Sequence, residues 1–501
     1  MKTILTVTVG VVALAGLPAP AAAQQEQMPG MTMPMPDKPP AKKAGAKKKV
    51  AAKKSAKNAP AENPPRAGTP PPHSGHPPAS PSTPMEGMTM PMDRAQPGHG
   101  QMSQMPMEPG EHAGRGMTMK GALGSYPMER ESSGTAWQPD GSEHRGLMKQ
   151  AGGWMLMAHG VLNLVYDHQG GRRGADKAFS GGMLMGTARR PLGDGTLQLK
   201  AMVSPDPLMG PSGYPLLLAS GETANGRDRL IDRQHPHDFF MELSASVAQN
   251  LGGKNSAFLY VALPGEPAFG PPAFMHREAI LDSPEAPITH HWLDSTHISF
   301  GVITAGLVLG PAKLEVSRFN GREPDQHRWN IETGPLDSTA IRVSWNPTAE
   351  LALQGSWGHF TDPEQLEPGV DQKRWSASLL YAREVAPGWK LAGTLAWGRK
   401  TAHGHNDNAF AAEASLKHAG WTVFGRGEMT ENRELTNVED GPAYRVGKVS
   451  LGAVRDFKVA EHFSLGVGGL VAVNFVPDGL APLYGGHNPL GAMAFVRMKL
   501  D

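Results

Sequence analysis

The sequence predicts an all-β protein: a transmembrane outer-membrane β-barrel of about 16 antiparallel strands, within a range of roughly 14–18, preceded by a disordered N-terminal tail. Three observations point there. From Gly153 onward, apolar and polar residues alternate in segments of about ten, separated by Gly, Pro, Asn and Asp. The connections between segments alternate between short and long. Aromatic residues stand at both ends of the apolar faces.

Taken in chain order, the first segment is a leader. Lys2, the apolar run Ile4 to Leu17 and the small residues Ala21 to Ala23 have the charged, apolar and small-residue regions of a secretory signal peptide, with cleavage expected after Ala23. No later window offers about 18 uninterrupted apolar residues, so no membrane-spanning helix is expected. The chain has no cysteine, and an exported chain of this size must then hold together by sheet closure or a sizeable core. Forty-eight Lys and Arg against 47 Asp and Glu leave almost no net charge, which argues against nucleic acid as a partner.

Residues 24–150 form the second segment, rich in Pro, Gly, Lys and Met and poor in aromatic and branched residues. Such a composition does not offset the entropy of ordering, and the segment reads as a disordered periplasmic tail. A flexible chain of that length has a reach of about 60 Å. Between Lys38 and Lys57 nine lysines make a solvated basic tether.

Residues 151–501 form the barrel. Sixteen alternating segments lie near 153–167, 178–189, 195–205, 238–250, 256–264, 295–305, 311–320, 338–346, 349–359, 373–384, 388–399, 407–418, 420–431, 443–456, 461–475 and 490–500. In 388–399, Trp389, Leu391, Gly393, Leu395 and Trp397 share one face and Lys390, Ala392, Thr394 and Ala396 the other. Trp389 and Trp397 are then about 20 Å apart along the membrane normal, close to the height of an apolar band between aromatic girdles. Connections after even-numbered segments are short, and those after odd-numbered ones are mostly longer. That asymmetry puts both ends of the barrel in the periplasm and the long loops outside.

Candidate metal ligands fall in three groups. The tail carries fourteen methionines from Met28 to Met128, with MTMPM occurring twice. Met31, Met33, Met35, Met88, Met90, Met92, Met102, Met105, Met107, Met117 and Met119 lie in M-x-M or M-x-x-M spacing. In an extended chain, residues i and i+2 point the same way, so M-x-M offers two sulfurs to one ion. Thioether sulfur is soft and neutral, which selects Cu(I) or Ag(I), while nearby imidazoles add affinity for Cu(II).

The second group is in the barrel. The parity of Trp154, Leu156 and Leu162 points Met155, Met157 and His159 into the lumen, and Met183, Met185, Met202 and Met493 share lumen faces on neighbouring segments. Two readings stand for this wall, a metal track and adaptable apolar filler. The third group is the histidines near the long loops, with His235 and His237 in QHPHD foremost. These are either metal ligands or, with Arg233 and Asp238, a polar network pinning the loop onto the lumen.

The GMTMPM stretches at 30–35 and 87–92, with RGMTMKG at 115–121, ahead of a barrel, resemble the copper-resistance outer-membrane proteins of the B type. The resemblance implies copper tolerance, by sequestration at the outer membrane or export through it. The partners expected are copper ions, outer-membrane lipid and a periplasmic copper carrier or efflux component. Against this stands a general or solute-specific porin whose tail only tethers it. There is no G-x-S-x-G elbow and no Ser, His and acid set whose proximity can be argued from sequence, so no catalytic residue is assigned and no enzyme is expected.

Overall fold

The computed structural model describes residues 119–143, 146–436, 438 and 441–500. The leader expected at 1–23 and residues 24–118 of the expected tail lie outside the described residues. Nineteen strands follow: β1 (Leu147–Ala151), β2 (Trp154–Gln169), β3 (Asp176–Leu192), β4 (Gly195–Val203), β5 (Tyr214–Thr223), β6 (Arg229–Gln234), β7 (Phe240–Gly252), β8 (Asn255–Gly265), β9 (Ser299–Leu309), β10 (Ala312–Phe319), β11 (Ser338–Thr348), β12 (Leu351–Phe360), β13 (Gln372–Ala386), β14 (Trp389–Ala402), β15 (His405–His418), β16 (Trp421–Asn432), β17 (Tyr444–Ala460), β18 (Phe463–Phe475) and β19 (Leu490–Leu500). Apart from β1, which extends β2 by a hairpin, and the separate β5–β6 hairpin, each strand pairs antiparallel with the next, β4 with β7, and β19 closes onto β2, so sixteen strands make one barrel. The sixteen expected segments each correspond to one of these strands.

One end of the barrel has only two-residue turns, such as 193–194, 310–311, 387–388 and 419–420. Tight hairpin turns need positive φ, which Gly193, Gly310, Gly388 and Gly420 supply. Connections at the other end are longer, with 204–239 and 266–298 the longest; the exception is the two-residue turn 403–404. The outer face is apolar and open to its surroundings: Leu395 is 59 % exposed, Val467 58 % and Val471 62 %. Trp154, Trp345, Trp389 and Trp421 ring the short-turn end, while Trp357, Trp375, Trp397 and Tyr166 ring the other. An apolar band between aromatic girdles, with every strand edge paired, is what a bilayer demands of a spanning β protein.

The inside is polar and largely filled. In the 204–239 connection β5 and β6 form a separate hairpin, whose Leu216, Leu217 and Leu218 are wholly buried and cluster with the inner-wall residues Phe424, Leu470 and Phe495. The 266–298 connection also turns inward and carries a short helix, α1 (His290–Leu293). Its backbone comes so close to β14 that a Cβ on Gly398 would clash with the Trp292 carbonyl oxygen. Ion pairs tie this loop to the wall: Arg277 to Glu413, Glu285 to Arg426 and Lys448, and Asp282 to Arg497.

The tail boundary differs from expectation. Residues 119–143 pack inside the barrel near the short-turn end, although the composition of 24–150 reads as disordered throughout. Tyr126 and Trp137 meet edge to face, with ring centroids 5.1 Å apart, and with Leu123 they cluster against Ala248, Phe258 and Val308 of the inner wall. Arg130 and Lys313 lie over the Trp137 ring, at 4.7 and 4.8 Å. Ser256 Oγ donates to the Leu123 carbonyl at 2.6 Å, and Arg342 Nη2 to Thr135 Oγ1 at 2.9 Å. A few aromatic anchors with partners on a preformed wall outweigh a composition that would not fold alone.

Candidate metal centre in the barrel lumen

The site is built on four neighbouring strands, β2, β3, β4 and β7. Period-two alternation turns Met157 and His159, then Met183 and Met185, then Met202 inward. The strand register then aligns them, with His159 opposite Met185 and Met185 opposite Met202, on three adjacent strands. Met157, Met183, Met185, Met202, Met241 and Met275 form one cluster with Ile298 and Phe300, in which Met202 is 2 % exposed and Met241 fully buried. The cluster borders a cavity of ≈ 1200 Å³ of open space, its mouth included, lined also by His159 and His276. A second cavity, of ≈ 600 Å³ of open space, is lined by His235 and His237; Met183 and Met275 border both.

Above this wall the inward loops bring five histidines together. The His237 and His297 rings are 5.0 Å apart between centroids, His290 and His297 5.2 Å, and His235 and His291 5.4 Å. Each has a fixed partner. His237 Nδ1 is 2.7 Å from Asp206 Oδ2, His290 Nδ1 2.8 Å from Asp294 Oδ1, and His297 Nδ1 2.7 Å from the Asp294 carbonyl oxygen. His235 Nε2 lies 3.1 Å from Glu222 Oε1. Burial, reinforced by Arg328 for His235 and by His237 for His297, pushes both of these imidazoles well below the usual range, and burial lowers His290 as well. Burial also lowers His276 to about 3, with the neighbouring His159 and Lys200 adding to the effect. His291 goes the other way: burial pulls it down, but the Glu323 carboxylate outweighs that and raises it. A neutral imidazole keeps a lone pair for a metal. Among the described residues no three His, Asp or Glu side chains form the cage that a hard or borderline dication requires.

Of the residues singled out in sequence, Met157, His159, Met183, Met185 and Met202 come together. Met155 does face the lumen, but it sits beside the β1–β2 turn, opposite Gln150 and Arg189, away from the cluster. Met493 is buried on the expected face, yet it packs with Val165 and Tyr214 in the cluster around the β5–β6 hairpin. The expected continuous wall of six sulfurs therefore ends at four. Met241 and Met275 add two that the pattern did not single out. Met119 opens the described chain, its carbonyl accepting the Met128 N–H at 2.8 Å. Met31, Met33, Met35, Met88, Met90, Met92, Met102, Met105, Met107 and Met117 lie outside the described residues. His235 and His237 stand in the buried histidine cluster. Their polar network has partners other than those expected: Asp238 is bound by Arg328 at 3.1 Å, while Arg233 Nη1 reaches the Ser212 carbonyl at 3.4 Å.

No protein-family model matches this chain, and no curated protein matches it by sequence. Among solved structures it is similar to OprB of Pseudomonas putida at 11 % identity, with 70 % of this chain and 94 % of that one covered and a TM-score of 0.45. It is similar to the anion-selective porin from Comamonas acidovorans at 13 % identity, covering 69 % and 100 %, with a TM-score of 0.40. Outer-membrane expressed OmpT of Vibrio cholerae is 8 % identical, covering 70 % and 100 %, with a TM-score of 0.41. The barrel assignment stands on the closed strand register itself.

Proposed function

We propose that this chain is a bacterial outer-membrane barrel that binds soft monovalent copper in its lumen and sequesters it or passes it across the membrane. The observation that carries the reading is the cluster of six thioethers, with Met183, Met185, Met202 and Met241 buried and Met157 and Met275 half-buried against them, bordering an open cavity beside His159 and His276. Thioether and neutral imidazole suit Cu(I), and several weak sites in series suit transfer, because an ion must also leave. In this reading the short-turn end faces the periplasm, and the MTMPM repeats of residues 31–35 and 88–92 capture copper there from a carrier or efflux component.

A second reading, a channel for small solutes, is favoured by one feature. Sixteen strands enclose a lumen wide enough for water, lined by paired charges such as Arg342 with Glu315 and Arg426 with Glu428. Flow through it would require the inward loops to move.

The test is metal analysis of the purified full chain, reduced and loaded with Cu(I), against a variant with Leu at positions 157, 183, 185 and 202. Fewer ions and a loss of sulfur ligation in the variant support copper binding in the lumen. Equal loading of the two proteins, with ample conductance indifferent to copper, would put the solute channel in its place.

A further inference from the structure

His237 and His297 carry a feature that the thioether cluster does not explain. His297 Nδ1 faces a backbone carbonyl, which only accepts, so Nδ1 holds the proton. His237 Nδ1 faces the carboxylate of Asp206 and donates likewise. In both rings the lone pair is therefore on Nε2. Among the described residues neither Nε2 has a hydrogen-bond partner, although the side chains are only 7 % and 4 % exposed. Leaving a buried acceptor unpaired is costly, and here two such acceptors stand in adjacent rings. Metal-binding histidines have the same arrangement, one nitrogen held by a carboxylate or carbonyl and the other left open.

The surroundings restrict the ion. Phe274 stacks on His237 at 6.0 Å and meets His297 edge-on at 6.5 Å, giving the pair an apolar cover. Burial holds the His297 imidazole below its usual range, and the desolvation cost of a dication is about four times that of a monovalent ion because it scales with the square of the charge. Two imidazole nitrogens under an apolar cover suit a monovalent coinage-metal ion, and the 5.0 Å separation of the ring centroids gives a bent pair of donors that leaves room for a further ligand. His237 also borders the smaller cavity, which shares Met183 and Met275 with the lining of the thioether cavity.

We propose that His237 and His297 bind one Cu(I) or Ag(I) ion through their Nε2 atoms, forming a nitrogen station beside the smaller of the two cavities. The inference rests on the soft-cation reading above and adds a site of different chemistry to it. Asp206 and the Asp294 carbonyl are its positioning groups.

The experiment loads the purified full chain with Ag(I), which needs no reductant, and counts retained ions by mass spectrometry after desalting. The expected result is that H237F/H297F loses one ion relative to the parent, while M157L/M183L/M185L/M202L keeps that ion and loses others. If H237F/H297F retains every ion while the methionine variant loses some, the nitrogen station is overturned and the thioether reading survives. If neither variant loses an ion, both fail. Because the double variant replaces two buried side chains, D206N provides an independent arm: it keeps the shape of the site but weakens the hold on His237 Nδ1, and should lower Ag(I) affinity about tenfold. Unchanged affinity in D206N, or an ordered water alone between the rings in a silver-soaked crystal, overturns the nitrogen station.

Discussion

Met185 of β3 lies directly opposite Met202 of β4, and the same row continues to His159 of β2. Leucine fills nearly the volume of methionine, so M185L/M202L should cost less than about 1.5 kcal/mol of stability. The same change removes two soft donors from the centre of the row. Silver binding to the folded variant should fall by at least one ion while the unfolding temperature stays within a few degrees of the parent. A variant that unfolds early and binds silver normally would mean that these sulfurs are packing and nothing more.

Arg277 is the anchor of the inward 266–298 loop. It is fully buried and held by both oxygens of Glu413 on β15, at 2.8 and 2.7 Å, and by Asp294 within its own loop. Removing Glu413 leaves the buried guanidinium with Asp294 alone and takes away its tie to the wall, at a cost of up to about 3–5 kcal/mol. E413A should therefore loosen the loop without opening the barrel, whose strand pairing does not depend on it. Single-channel recording in planar bilayers is the check, with E413A conducting more than the parent. Equal conductance would show that the loop is held by its other ties to Arg426, Lys448 and Arg497.

The barrel was legible in sequence because its rule is local: alternation along 388–399 already assigns Trp389 to the outside and Thr394 to the inside. The filled interior was not, because the pairs that fold the loops inward join residues more than a hundred positions apart, as Arg277 and Glu413 do. Parity gives a residue's face but not its height. Met155 and Met493 accordingly point inward yet miss the cluster, one too near the short turns and the other too near the long loops. Met241 was hidden for another reason. A register shift between Met202 and Val203 buries both Met241 and Glu242, so strict alternation no longer assigns one of them to the wall.

Trp137 is the main apolar anchor of the 119–143 segment, 4 % exposed and flanked by Tyr126, Arg130 and Lys313. W137A removes a large buried ring and should destabilise the segment by about 3–5 kcal/mol. Limited proteolysis of the full chain should then cut between residues 119 and 143 in the variant and not in the parent. Equal protection would assign the anchoring to the hydrogen bonds of Leu123 and Thr135 instead.

Acid should weaken the fold through His276. Burial holds its pKa near 3 in the folded chain, against about 6.5 for an unperturbed imidazole in the unfolded one. Above pH 6.5 the ring is neutral in both states and contributes no pH dependence. Between 6.5 and 3 the unfolded chain takes up a proton that the folded chain refuses, so stability falls as pH falls through that window and levels off below it. His276→Met keeps an apolar side chain beside the thioether cluster and abolishes this proton uptake. Thermal unfolding of parent and variant at pH 8 and pH 4.5 is the measurement, with the parent losing more stability than H276M on acidification. Parallel losses in the two proteins would locate the acid sensitivity elsewhere.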